Sequence, residues 1–110
     1  MKIFISQPMN GLKDSQILEK RAEMIRLLTD HYGEGIEIID SFTKSEDVIG
    51  RGRVAMLGDS IMKMWDADIV LFCDGWSGSA GCTVEYEVCS RYDIKRIYEY
   101  DLKHLVESRR

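Results

Sequence analysis

The chain has 110 residues, 45% of them hydrophobic, with 15 Lys and Arg against 19 Asp and Glu for a formal net charge of −4. That length fits one domain spanning residues 1–110 and burying roughly two-thirds of its unfolded surface. The acidic balance excludes the basic stripe by which a domain grips a nucleic acid. Arg51 and Arg53 are the nearest approach to one, and they suit a single phosphate or carboxylate. The Arg109–Arg110 tail reads as solvated.

Three cysteines, Cys73, Cys82 and Cys89, lack any paired short spacing, so neither a disulfide framework nor a zinc site is expected. They read as small apolar residues in a reducing compartment. The opening MKIFISQP is too brief for a signal peptide, and no apolar run reaches the roughly 20 residues of a membrane helix. The expected location is the cytoplasm.

In chain order, Lys2 to Ser6 (KIFIS) is a β-branched and aromatic run that Gln7-Pro8 stops, so it predicts a strand. Asn10-Gly11 marks a turn. Asp14 or Ser15 caps a helix whose apolar positions Leu18, Ala22, Ile25 and Leu28 run towards Tyr32, and Gly33 and Gly35 close it. Ile36 to Ile39 predicts a short second strand ending at Asp40, and Ser41 to Arg53 predicts a loop. A second helix carries Leu57, Ile61, Met64 and Trp65 on one face. Ile69 to Cys73 (IVLFC) is a continuous apolar run, expected to be a central strand covered on both faces. Asp74 to Gly81 is rich in glycine and serine, a third helix spans about Thr83 to Tyr92, Lys95 to Tyr98 is a fourth strand, and the tail from Asp101 is helical.

Strands alternating with helices predict an α/β fold of flavodoxin or Rossmann-like type, a parallel sheet with helices on both faces. The expected strand order is 2-1-3-4. Ligands of such sheets bind beyond the carboxyl ends of the strands, where the order reverses. Here that point lies between strands one and three, so the loops Ser6–Gly11 and Asp74–Gly81 should form the site.

The second loop offers glycines for close backbone approach and serines for ribose or phosphate oxygens. Glu85 is expected in the first turn of the following helix, where the helix dipole favours its ionised form. An ionised carboxylate beside such a pocket suits a nucleophile or general base. It also suits a residue that only stabilises a helix start.

Ser79-Ala80-Gly81-Cys82-Thr83-Val84-Glu85 resembles the S-x-G-x-x-x-E signature of the nucleoside 2-deoxyribosyltransferase family, which includes the deoxynucleoside 5′-monophosphate N-glycosidases. Ile3-Phe4-Ile5-Ser6-Gln7-Pro8 resembles that family's first strand and pocket loop, and Ala67-Asp68-Ile69-Val70-Leu71 its third strand. With Ser-Gln-Pro-Met-Asn-Gly early and Gly-Trp…Gly-Cys…Glu later, the pattern is most similar to a small branch common in bacteria and phages. The resemblance covers nearly the whole chain.

The resemblance implies that Glu85 is the nucleophile, attacking the anomeric carbon and forming a deoxyribosyl ester that a second base or water resolves. It implies that Ser79 binds a 5′-phosphate or hydroxyl, with Gly75, Trp76 and Gly81 beside it. It also implies that Ser6, Gln7, Pro8, Met9, Asn10 and Gly11 line the base and sugar pocket. The family's Asp eight residues before Asp68 is replaced by Ser60, with Asp59 adjacent; either Asp59 serves in its place or the role is lost. Asp68 suits a helix end or strand start. Trp76 can stack on a nucleobase, pack under its loop or meet another subunit. Asp40 can touch a ribose hydroxyl or serve a turn. His31 and His104 carry no assigned role.

Two functions follow: an N-glycosidic-bond transferase or hydrolase acting on a (deoxy)nucleoside or nucleotide, or a non-catalytic protein holding a nucleotide or nucleotide-derived signal in the same pocket. Neither calls for a cofactor or a metal. A homo-oligomer is expected, because Met56, Met62, Met64 and Trp65 supply more apolar surface than one helix face buries. The resemblance implies that neighbouring subunits complete each other's sites.

Overall fold

The computed structural model describes residues 1–42 and 52–109. Arg51, Arg110 and most of the expected loop after Ser41 lie outside them. Four strands, β1 (Lys2–Ser6), β2 (Glu37–Ile38), β3 (Ile69–Phe72) and β4 (Lys95–Tyr98), form one sheet. The order is β2-β1-β3-β4 and every pairing is parallel, as the alternation predicts. Helices α1 (Asp14–Tyr32), α2 (Arg53–Met64), α3 (Ala80–Arg91) and α4 (Glu99–Glu107) cover the sheet.

The period-two geometry of a strand decides what lies on each face. Ile3 and Ile5 of β1 pack with Leu71 and Cys73 against Met24, Leu27 and Leu28 of α1 and Leu102 and Val106 of α4. Phe4, Val70 and Phe72 point the other way, against Met64 of α2 and Cys89 of α3. Even-numbered positions of β1 and β3 therefore face α2 and α3, and odd-numbered positions face α1 and α4. This parity decides the surroundings of every residue at the carboxyl ends of the strands.

Several boundaries differ from expectation. The buried positions of α1 are Ile17, Arg21, Met24, Leu27 and Leu28, while Leu18 is exposed. The seam lies one residue, about 100° of helix, from the stripe read in the sequence. Its second position is an arginine, which hid it from an apolar count. Arg21 is buried because its guanidinium donates to the Ile39 carbonyl at 2.8 Å and to Ser41 Oγ at 3.3 Å. Lys13, and neither Asp14 nor Ser15, stands at the N-cap, where its backbone N–H donates to Gln16 Oε1 at 2.9 Å.

The second strand has two residues where four were expected, although Ile39 N–H still donates to the Ile3 carbonyl at 2.9 Å. On α2, Met64 is fully buried and Trp65, expected beside it, is 83% exposed because it caps the helix outside the seam. Met64 therefore contributes nothing to the exposed apolar surface counted towards an oligomer. Met62 does, at 74% exposure. The last helix begins at Glu99, directly off β4 with no intervening loop. At the amino ends of the two central strands Asp68 accepts the Lys2 backbone N–H at 2.6 Å, the strand-start role.

Candidate functional site

The order of strands reverses between β1 and β3, and the loops leaving the two strands are where sheets of this kind bind their ligands. Parity turns Ser6, the last residue of β1, towards α3. Its hydroxyl donates to Glu85 Oε1 at 2.8 Å, a bond between two buried side chains. Sequence reasoning placed both residues in the site, and the fold brings them together across 79 positions of chain.

Glu85 is not the first-turn residue expected of it. It is only 6% exposed and sits in the second turn of α3, which begins at Ala80 and not Thr83. The earlier start comes from Ser79 at the N-cap, whose Oγ accepts the Cys82 backbone N–H at 3.3 Å. Burial pushes the Glu85 carboxyl above the usual carboxylate range, and hydrogen bonds from Ser6 and Ser60 pull it part of the way back. Ser60 is thus the α2 residue that meets Glu85; Asp59, beside it, is half-buried.

Cys82 completes the cluster, and sequence reasoning missed it as a site residue. Its thiol is 2% exposed, raised by burial and by Glu85 and lowered by hydrogen bonds with Ser6 and Ser79. The signal was available: Cys82 and Glu85 are three positions apart, so both fall on one face of α3. All three cysteines are free and buried. Burial pushes Cys73 up to about 12 and Cys89 up to about 11, so both remain neutral thiols.

The two loops lie side by side. Gly75 takes a left-handed φ of +88°, and a Cβ placed on it would stand 3.6 Å from Pro8 Cγ. Within the first loop the side chains diverge. Gln7 is buried on the α1 side, where Nε2 donates to the Ile17 carbonyl at 3.0 Å. Pro8 and Met9 are half-buried, and the Met9 carbonyl accepts the Leu12 N–H at 3.1 Å, closing a turn over exposed Asn10 and Gly11.

In the second loop, Trp76 to Gly78 form a short 3₁₀ turn. Trp76 stacks on Tyr86 with ring centroids 4.6 Å apart and leans on Phe72 at 5.4 Å. It packs under its own loop, with one indole face taken up by Tyr86. Gly81 is half-buried in the first turn of α3. Asp40 is exposed, and its Oδ1 accepts the Phe42 N–H at 3.3 Å, a local turn bond. Arg53 is an exposed residue opening α2.

Glu99, on the other face of the sheet, escaped sequence reasoning altogether. It follows Ile97 by two, so parity sends it towards α1. There its fully buried carboxylate takes hydrogen bonds from Lys20 Nζ at 2.6 Å, Lys103 Nζ at 2.7 Å and the Asp74 backbone N–H at 2.9 Å. Burial disfavours its charge, but Lys103, Lys20 and the Asp74 amide outweigh that and hold its carboxyl at about 2.

Among the described residues no group of three His, Cys, Asp or Glu is placed to hold a metal ion, and no helix is long and apolar enough to cross a membrane. Comparison of the chain with protein-family models, with curated proteins and with solved structures finds no match. Function is therefore argued from the cleft.

Proposed function

We propose that this chain is an N-glycosidic-bond enzyme of the nucleoside 2-deoxyribosyltransferase kind, acting on a (deoxy)nucleoside or nucleotide through Glu85. The observation that carries the proposal is a buried carboxylate at the reversal point of the sheet, hydrogen-bonded by Ser6 at 2.8 Å beside a glycine-rich loop. A nucleophilic carboxylate needs a fixed orientation and its charge retained in a dry site. The Ser6 hydroxyl fixes the orientation, and its donation favours the ionised form against the opposing effect of burial.

In the first displacement a Glu85 oxygen bonds to the anomeric carbon as the C–N bond breaks. The electron pair leaves with the base, which takes a proton from solvent. In the second, water or another base attacks the same carbon, loses a proton to solvent and frees the carboxylate. Two displacements at one carbon retain configuration. The reading requires no cofactor. The homo-oligomer remains part of the proposal, with exposed Val54, Met62 and Trp65 as its contact surface.

The decisive experiment incubates the wild type and Glu85→Gln with a panel of nucleosides, deoxynucleotides and NAD, and follows free base by mass spectrometry. Base release by the wild type alone is the expected result. Equal release by both proteins would sink the assignment of Glu85.

One observation favours a second reading, a protein that binds a nucleotide without cleaving it. Where the resembling family carries an acid this chain carries Ser60, whose hydroxyl is too weakly acidic to protonate a departing base. Binding of a panel nucleotide by the wild type, with no base released, would select this reading.

A further inference from the structure

Two buried carboxylates flank the carboxyl end of β3, Glu85 on the α2–α3 face and Glu99 on the α1–α4 face. We propose that Glu99 is a positioning residue of the cleft, its carboxylate holding the first backbone N–H of the loop that runs from Asp74 to Ser79. The assignment of that loop to a site rests on the function proposed above. The positioning itself rests on geometry alone.

A carboxylate with no exposed surface is costly to keep charged, and a structural ion pair could stand at the surface. Glu99 is instead buried completely and divides its oxygens between two tasks. Oε2 receives both lysine ammonium groups, from α1 and from α4. Oε1 receives the Asp74 N–H. The lysines thus keep the carboxylate ionised and leave one oxygen aimed at the backbone.

Asp74 is where the chain leaves the sheet, since Cys73 N–H still pairs with the Ser6 carbonyl at 3.0 Å. One residue later Gly75 turns left-handed against Pro8 of the neighbouring loop. Four residues beyond that, Ser79 caps the helix that carries Glu85. Fixing the Asp74 amide therefore fixes the direction in which the loop departs, the approach of Gly75 to the neighbouring loop and the start of α3. The groups facing Glu99 are Lys20 of α1, Lys103 of α4 and the Asp74 amide. Glu23 lies 3.8 Å from Lys103 on the outer side.

Amide exchange measured by NMR separates positioning from general support, and it needs no turnover. Failure of the N-glycosidic reading would therefore leave this test intact. Glu99→Ala removes the acceptor, and the Asp74 amide should exchange about tenfold faster, the loss expected of one hydrogen bond to a charged group. Val70 and Leu71 within β3 should change far less. Glu99→Gln keeps an acceptor oxygen of the same reach and should restore most of the protection. Its Asp74 proton resonance should move upfield, because a neutral acceptor replaces an ionised one.

The proposal is overturned if Asp74 exchange in Glu99→Ala stays at the wild-type rate, or rises only in step with Val70 and Leu71. It is equally overturned if Glu99→Gln exchanges Asp74 as fast as Glu99→Ala. Should Glu99→Ala not fold, the Gln variant decides it by the resonance shift and the exchange rate. An unmoved Asp74 resonance in Glu99→Gln then counts against the bond.

Discussion

The buried Glu99 carboxyl makes a measurable demand on stability as pH falls. Its carboxyl is held at about 2 against an ordinary 4.5, and a depressed folded-state value means that the native protein releases this proton more readily than the unfolded chain. The resulting stabilisation is present in full above pH 4.5 and is lost as pH falls from 4.5 to 2. Two and a half units at 1.36 kcal/mol each correspond to roughly 3 kcal/mol. Lys20 and Lys103 are about a third exposed, so solvent screening brings the expectation to about 2–3 kcal/mol. Glu99→Gln is close in shape to the protonated acid and lacks the titration. Urea unfolding followed by tryptophan fluorescence should put the variant about 2–3 kcal/mol below the wild type at pH 6. Linkage requires that gap to shrink by more than half by pH 3. A gap that stays constant across this range, or a variant more stable than the wild type at pH 6, would refute the account of Glu99 as a charge held by two lysines.

Ser6→Ala removes a hydrogen bond that lowers the Glu85 carboxyl, so the Glu85 titration followed by carboxyl-carbon NMR should move to higher pH. The acidic limb of any pH–rate profile should move with it. An unchanged titration would mean that Ser60 alone sets the charge. Ser79→Ala deletes the cap of α3 and should lower stability by about 0.5–2 kcal/mol in chemical denaturation. Ser79→Asp should recover most of that loss, and a neutral Ala variant would show that the cap contributes nothing. Arg21→Met leaves the Ile39 carbonyl and Ser41 without their guanidinium donor and should cost about 1.5–3 kcal/mol by the same assay, despite placing an apolar residue in an apolar seam. Light scattering at micromolar concentration should give at least a dimer mass that Trp65→Glu reduces to the monomer. A wild-type monomer would remove the oligomer from the proposal.

The architecture was legible because its signals were local and repeated. A β-branched run stopped by Gln7-Pro8 and a continuous IVLFC run fixed the two central strands, and alternation with helices then left few topologies. The pairing of Ser6 with Glu85 was partly legible, since both fell on the loops that the strand order brings together. The burial of Glu85 was not. It depended on where α3 begins, and Ser79 acts as an N-cap only once the chain has left the 3₁₀ turn at Gly78. Arg21 and Glu99 were hidden for a common reason. Polarity marks a residue as surface in any pattern count, yet each is buried by partners drawn from distant positions, such as Ile39, Ser41 and Lys20. Trp76 allowed several readings because a tryptophan in a glycine-rich loop reveals nothing of its neighbours until Tyr86 is seen beneath it.

Of the four strands, the first to be synthesised is also a central one. Ile3 pairs with Ile69 and Phe4 with Val70, so β1 cannot bury both faces until most of the chain has been made. Until then its sheet partner among the described residues is the two-residue β2. A nascent chain of this fold presents Ile3, Phe4 and Ile5 as an unpaired apolar edge for several seconds at ordinary synthesis rates of about 5–20 residues per second. Pairings of such sequence separation are slow to close. The half-made chain is therefore the species most exposed to aggregation, and the arrival of β3 is the event that ends that exposure.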